Sequence, residues 1–291
     1  MTWTHTPVMK QEVLDYIYTG KGTYIDATLG LGGHSQSLLD TYPDISLIGI
    51  DQDAQALEQA KVRLHDYKNI SYHHLAFSQL DTLQLKSPAK GILFDLGVSS
   101  MELDNAQRGF SFNKEGPLDM RMNPEEHTTT AGKIVNQYDQ ETLAYIFREH
   151  GDEAYPGRIA RAICERRRKQ PFYTTVDLAE VINQAVPSRA HKQSIHPATR
   201  VFQALRIEVN NELQELRQGL TKSLSLVESG GRIVVISFHS GEDRIVKNIF
   251  RDYASANRGR IITKKPLIPS EEECSHNPRS RSAKMRIFEV V

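Results

Sequence analysis

The chain has 291 residues, 39% of them hydrophobic, with 36 basic and 36 acidic side chains and a formal net charge of zero. That length suits one large domain, or one domain carrying a smaller one, with a core of ordinary size. No apolar run reaches the roughly 18 residues of a membrane span, the N-terminus lacks the charged start and apolar core of a signal peptide, and Cys164 and Cys274 stand in no metal-like or disulfide-framework spacing, so a cytoplasmic protein without a metal or a membrane partner is expected.

From residue 23 to 103, strand-like and helix-like segments alternate. Thr23–Leu29 is β-like and runs into the turn Gly30-Leu31-Gly32-Gly33. His34–Tyr42 reads as a helix, with Ser35 near its cap. Ile45–Asp53 is a compact apolar run ending in acids. Asp53 is placed to cap a helix whose Leu57, Ala60 and Leu64 share one face. Ile70–Phe77 and Lys90–Val98 are two further strand candidates. Strands alternating with helices imply parallel pairing.

The alternation then stops. Residues 104–130 are loop-like, and 131–190 read as helices, with Thr174 and Asp177 at capping-box spacing. From Pro197 a long helix is expected. Val201, Leu205, Val209, Leu213, Leu216, Leu220, Leu224 and Val227 form its apolar stripe, about 45 Å long at 1.5 Å per residue. Glu228-Ser229-Gly230-Gly231 should end it before a strand at Gly231–Phe238. Arg260–Ile268 and Met285–Val291 lack a long helix between them and suit an antiparallel pair at one sheet edge. The expected fold is a doubly wound α/β core with a seven-stranded sheet, residues 1–103 and 197–291. It is interrupted by an all-helical insertion at 104–196, expected to recognise the substrate.

Ligands of such sheets lie beyond the carboxyl ends of the strands, where the glycine turn is expected. The turn departs from the dinucleotide fingerprint, because a third glycine would fall on Ser35. Asp51, closing the second strand, is placed to accept both hydroxyls of an adenosine ribose, while Asp53 caps the following helix. Asp95 ends the fourth strand beside the same crevice. S-adenosylmethionine fits this set, since it offers a ribose and no pyrophosphate.

The segments DATLGLGGHS, DLGVSS, RGFSF, GPLDMRM, HPATRVFQALRIEVNNEL and SFHSGEDRIVK together resemble the ribosomal RNA small subunit methyltransferase H family, over a stretch from His5 nearly to the C-terminus. The resemblance implies a class I S-adenosylmethionine-dependent methyltransferase core (Rossmann-like) with an inserted helical domain. It implies methylation of the exocyclic N4 of a cytidine in the decoding region of small-subunit ribosomal RNA, within a ribosomal particle. It places the cofactor contacts on Gly32, Gly33, His34, Asp51, Phe77 and Asp95. A further family contact, usually Gln, falls on Glu102, which has no amide donor. Val201 stands where Thr is usual, and Gly241 where Leu is usual.

Cytosine N4 is a poor nucleophile, so a hydrogen-bond acceptor is needed beside it. Asp95, Ser99 and Ser100 are the candidates, the serines serving either as acceptors or as turn residues. Phe110 and Phe112 would stack on an extruded base or pin their loop to the core. Arg108 and Arg121 would reach phosphates or form ion pairs with Asp104 or Asp119. His239, after the fifth strand, faces the crevice or is an ordinary loop histidine. Arg166, Arg167 and Arg168, within the basic run from Arg158 to Lys169, are candidate RNA contacts. Arg279, Arg281, Lys284 and Arg286 form a second basic stretch. Two other functions compete: a DNA amino-methyltransferase, against which the absence of a Pro-Pro-aromatic element counts, and a non-catalytic ribosome assembly factor. Oligomeric state is left open.

Overall fold

The computed structural model describes residues 7–187 and 196–291; His5 lies outside the described residues. The chain divides into two compact units, Met1–Ser99 with Leu213–Val291, and Ser100–Glu212.

The first unit holds α1 (Lys10–Ile17), β1 (Thr23–Asp26), α2 (Gly33–Thr41), β2 (Ser46–Asp51), α3 (Ala54–Arg63), β3 (Ile70–His74) and β4 (Ala89–Asp95). After the second unit it resumes with α10 (Glu212–Leu226), β5 (Val227–Ser237), α11 (Ser240–Ser255), β6 (Gly259–Ile261), α12 (Glu271–His276) and β7 (Lys284–Val290). The sheet order is β3-β2-β1-β4-β5-β7-β6. Strands β1 to β5 pair in parallel, and β7 runs antiparallel to both β5 and β6. The expected antiparallel pair is therefore present at the edge. Its first member is only three residues long, and Leu267 adds a single bridge to Met285.

Alternate residues of the central strands enter separate cores, as a period of two requires. Ile92, Phe94, Ile233 and Val235 pack with Leu216 and Leu220 of α10 and Ile245 and Phe250 of α11. Leu93, Val234 and Ile236 pack with Val13 and Ile17 of α1 and Leu38 of α2. Phe94 is fully buried; a side chain of that size contributes about 1.5–3 kcal/mol of transfer free energy.

The second unit contains α4 (Ser100–Asp104), α5 (Ala131–Gln137), α6 (Gln140–Glu149), α7 (Pro156–Arg167), α8 (Thr175–Ala185) and α9 (Pro197–Asn210). Thr174 caps α8 by accepting from the Asp177 N–H.

Three expectations need correction. The helix expected from Pro197 to Val227 is two helices, α9 and α10. Asn211 between them is left-handed, at φ 52°, a conformation Asn tolerates better than most residues. Buried Asn210 fixes the break: its Oδ1 accepts from Met122 N at 2.7 Å, and its Nδ2 donates to Met120 O at 2.7 Å. Accordingly α9 groups with the insertion, which runs from 100 to 212 and not from 104 to 196. Glu228 to Gly231 lie inside β5, where the register against β4 shifts between Ala89 and Gly91. They form an irregularity of the strand and not the turn before it.

Candidate active site

The order of β1 and β4 makes the switch point of the sheet: the chain leaves β1 towards β2 and β3, then crosses back to β4 and β5. The crevice at the carboxyl ends of β1 and β4 is the place for a ligand. Thr28 ties the two ends together, its Oγ1 accepting from the Asp95 N–H at 2.6 Å.

The glycine turn is built on carboxylates. Asp51 Oδ2 accepts from Gly30 N at 2.7 Å, and its Oδ1 from Asp53 N at 2.8 Å. One side chain therefore organises the first glycine and the start of α3, while Asp53 caps α3 through Gln55 N. Gly32 has φ 76°, and a Cβ there would meet Leu64 Cδ1 at 2.8 Å. That glycine is needed for α3 packing as well as for the turn. Ser35 does not cap α2, whose N-cap is Gly32; its hydroxyl donates to buried Asp26 at 2.7 Å.

Asp26 is a site residue missed in the sequence, visible there only as an acid at the end of β1. It also accepts from Thr28 N. Burial pushes its pKa up, against the opposing effects of Ser35, His34 and the Thr28 N–H. Burial likewise raises Asp51 to about 6, partly offset by the backbone N–H groups of Asp53 and Gly30. His34 is 6% exposed. Its Nε2 lies 3.4 Å from Asp95 Oδ2, without hydrogen-bond alignment. Both His34 ring nitrogens and Asp95 Oδ1 are buried with no hydrogen-bond partner. Phe77 opens the 3-10 turn Phe77–Thr82 after β3, edge-on to Phe94 with centroids 5.9 Å apart.

Asp26, His34, Asp51 and Asp95 thus lie within electrostatic reach at one end of the sheet. Buried polar atoms without partners are costly, so the crevice suits a polar ligand. S-adenosylmethionine fits the donor set. In such a complex Asp51 would have lone pairs left for the ribose hydroxyls, Phe77 would give an apolar flank to the adenine, and Asp95 would be an acceptor for the methionine ammonium or for an incoming amine. Among the described residues no group of acids, histidines and cysteines suits a metal. No helix there is long and apolar enough to cross a membrane, and Cys164 and Cys274 are both free.

His239 is the N-cap of α11, accepting from Glu242 N, while Glu242 Oε2 accepts from Phe238 N and His239 N. Its Nε2 lies 3.2 Å from Glu242 Oε1 and is buried without a hydrogen-bond partner.

The remaining candidates belong to the second unit, apart from Ser99, the last residue of the first. Ser100 starts α4, and Glu102 on that helix is 4% exposed, 3.9 Å from Arg108. Arg108 Nη2 donates to Arg121 O and Met122 O, and its guanidinium lies over the Phe110 ring. Arg121 is held bidentately by Asp119, with 2.7 Å contacts, and donates to His127 O. Phe110 is buried. Phe112 packs on His196 and Phe202, with centroids at 4.8 and 5.0 Å. Both arginines and Phe112 thus take the structural alternative, bracing the 108–127 loop.

On α7 the expected RNA triplet divides. Arg166 donates to Asp177 at 2.7 and 3.0 Å, bonds Gln170 O and lies over Phe172. Arg167 donates to Val135 O at 2.8 Å. These two are internal to the unit, whereas Arg168, Lys169 and Arg158 are exposed. Ile159 and Ile163 are fully buried on the opposite face.

A family model described as the MraW methylase family matches residues 2–291. A ribosomal RNA small subunit methyltransferase H of Caldicellulosiruptor bescii is 47% identical over 307 residues, covering 99% of both chains. The protein of that name from Persephonella marina is 47% identical over 292 residues, again 99% of both. That of Trichodesmium erythraeum is 46% identical over 289 residues, with the same coverage. With a match from residue 2 to residue 291 and relatives similar over their full length, this chain belongs to the MraW methylase family.

Proposed function

We infer that the protein transfers the methyl group of S-adenosylmethionine to the exocyclic N4 of a cytidine in small-subunit ribosomal RNA, within a ribosomal particle in the cytoplasm. The observation that carries the reading is Asp95. Its Oδ1 is buried and unpartnered at the end of β4, beside His34 and the carboxylate-held glycine turn. S-adenosylmethionine, when bound, supplies a sulfonium-activated methyl group.

The cytosine amine is planar, with its lone pair delocalised into the ring. Accepting a hydrogen bond from N4–H, the Asp95 carboxylate pulls that nitrogen towards a tetrahedral geometry and frees the lone pair. It also holds the amine at the near-attack distance of about 3–3.5 Å that such a displacement needs. Methyl transfer leaves a positive charge on N4, and in this reading Asp95 takes the proton that N4 then sheds. The exposed α7 cations Arg158, Arg168 and Lys169 are the insertion's phosphate contacts in this reading, in place of Arg166 and Arg167.

The test is incubation with methyl-labelled S-adenosylmethionine and small ribosomal subunits, followed by mapping of the labelled base. Label on cytosine N4, abolished in Asp95→Asn, is expected. Label on a carbon, on a ribose hydroxyl or on no RNA would sink the reading.

A further inference from the structure

One carboxylate in the sheet unit is crowded by cations. Asp243, on the first turn of α11, accepts from Arg286 Nε at 2.6 Å and from its Nη2 at 3.2 Å. Lys284 Nζ lies 3.7 Å away. Burial alone would raise the Asp243 pKa. Arg286 first, then Lys284 and Lys247, bring it below the ordinary value. Arg286 is itself buried and suffices to balance Asp243. Lys284 and Lys247 are therefore in excess, and two more cations stand close in the chain: Arg244, next to Asp243, and Arg281, three residues before Lys284. Arg244, Lys247 and Arg281 are exposed, and no ion pair holds them among the described residues. The exposed acids of the same stretch are Asp252, late in α11, and Glu271 and Glu272 on the first turn of α12.

The topology puts this cluster beside the chemistry. Asp95 is in register with Ile236, and Ile236 with Met285. The backbones of Asp95 and Met285 are therefore two strand spacings apart, about 10 Å. Lys284, at the start of β7, pairs with Ser237 at the carboxyl end of β5, and α11 leaves from that same end. Lys284 and Lys247 act on Asp243 at the end of the sheet that holds Asp95, and exposed Arg244 and Arg281 adjoin them in sequence, so the backbone of a nucleotide whose base lies at Asp95 would pass near this cationic stretch. Phosphates are what such a surplus of lysine and arginine recognises.

We propose that Arg244, Lys247, Arg281 and Lys284 form a docking surface for the ribose-phosphate backbone of the substrate RNA, holding the phosphates next to the target nucleotide. The proposal rests on the inference that the substrate is RNA and adds the surface of the sheet unit that meets it.

The test is fluorescence anisotropy with a labelled single-stranded RNA oligonucleotide over a series of salt concentrations, on the full chain. Replacing Lys247 and Arg281 by Gln should weaken binding and lower the slope of log affinity against log salt by about 1.4, at about 0.7 per contact on a single strand. Affinity for S-adenosylhomocysteine and the melting temperature should stay unchanged. A matched control, Lys21→Gln with Lys86→Gln, removes the same charge from exposed positions at the amino ends of β1 and β4 and should change neither affinity nor slope. If the paired variant melts early, Arg281→Gln alone carries the test, with a slope change of about 0.7. Equal losses in the cluster and control variants would mean diffuse charge and overturn the proposal. So would wild-type behaviour in the cluster variant, which would leave the RNA reading intact. A wild-type protein that binds no RNA and labels none removes that reading, and this surface with it.

Discussion

Asp51 carries two tasks in one carboxylate, and its pH behaviour separates them. Its pKa of about 6 lies above the ordinary carboxyl value, so between about pH 4 and 6 the folded protein holds a proton that the unfolded chain has released. Its contribution to the stability of the free protein is therefore favourable at low pH and is lost as pH rises through that window. Cofactor binding runs the other way, because ribose hydroxyls donate best to the ionised group. Affinity for S-adenosylhomocysteine, measured by calorimetry, should rise from about pH 5 to about pH 7 with an inflection near the Asp51 pKa, and Asp51→Asn should flatten the rise. A flat profile in the native protein would exclude Asp51 from the ribose. Asp51→Ala should weaken binding about tenfold or more, from two lost charge-assisted hydrogen bonds. It should also lower the melting temperature, since Gly30 N and Asp53 N lose their acceptor. Asp95 differs: its Oδ1 has no partner to lose. Asp95→Ala should abolish methyl transfer with thermal unfolding shifted by only a few degrees, and a variant that methylates at the native rate would place the acceptor elsewhere. Glu102→Gln restores the usual family residue and should leave cofactor affinity equal or better. It should reduce thermal stability, because mostly buried Arg108 loses its carboxylate neighbour. A clear fall in affinity would give Glu102 a contact of its own.

Among the elements, α7 shows how a basic run divides. The six cations from Arg158 to Lys169, on α7 and just after it, look equivalent as letters, but helical geometry turns Ile159 and Ile163 inward, and Arg166 and Arg167 find acceptors on neighbouring segments. Arg166→Ala should destabilise the protein by about 1.5–3 kcal/mol, since it removes charge-assisted hydrogen bonds to Asp177, and chemical denaturation would show it. Replacing Arg158, Arg168 and Lys169 together with Ala should leave denaturation unchanged while flattening the salt dependence of RNA binding. If Arg166→Ala denatures like the native protein, the Asp177 bridge contributes nothing. Strand periodicity, the Asp53 and Thr174 caps and the edge pairing of β6 with β7 were all legible because each depends on local spacing. The Arg121 pair with Asp119, two residues away, was one of the two expected; the partners of Arg108 and Arg166 were not legible, since nothing near them in the sequence says which of several acids or carbonyls the fold will bring up. The break after Asn210 had a local signal, two consecutive asparagines, but an unbroken apolar stripe on both sides concealed it.

At the scale of the whole chain, that stripe served two masters. Val201, Leu205 and Val209 are buried in the second unit, while Leu216, Leu220 and Leu224 belong to the core of the first. A helical period reports that a face is buried, not which core buries it, and the boundary was therefore placed too early. That the glycine turn, Asp51 and Asp95 lie at one end of the sheet was legible because the doubly wound sheet fixes where strand ends lie. Asp26 and Thr28, which brace that site from beneath, came to light only with the register of β1 against β4.

Asn211 also marks where a foreign passage ends. Removing the residues from Ser100 to Glu212 would bring the end of β4 directly to α10 and β5, which is the ordinary strand-helix-strand crossover of a parallel sheet. In the language of descent, the host sentence remains grammatical without its parenthesis. A lineage could lengthen, shorten or exchange the enclosed helices without rewriting the strands that present Asp51 and Asp95. The sheet and the enclosed helices are thereby free to evolve at different rates within one gene.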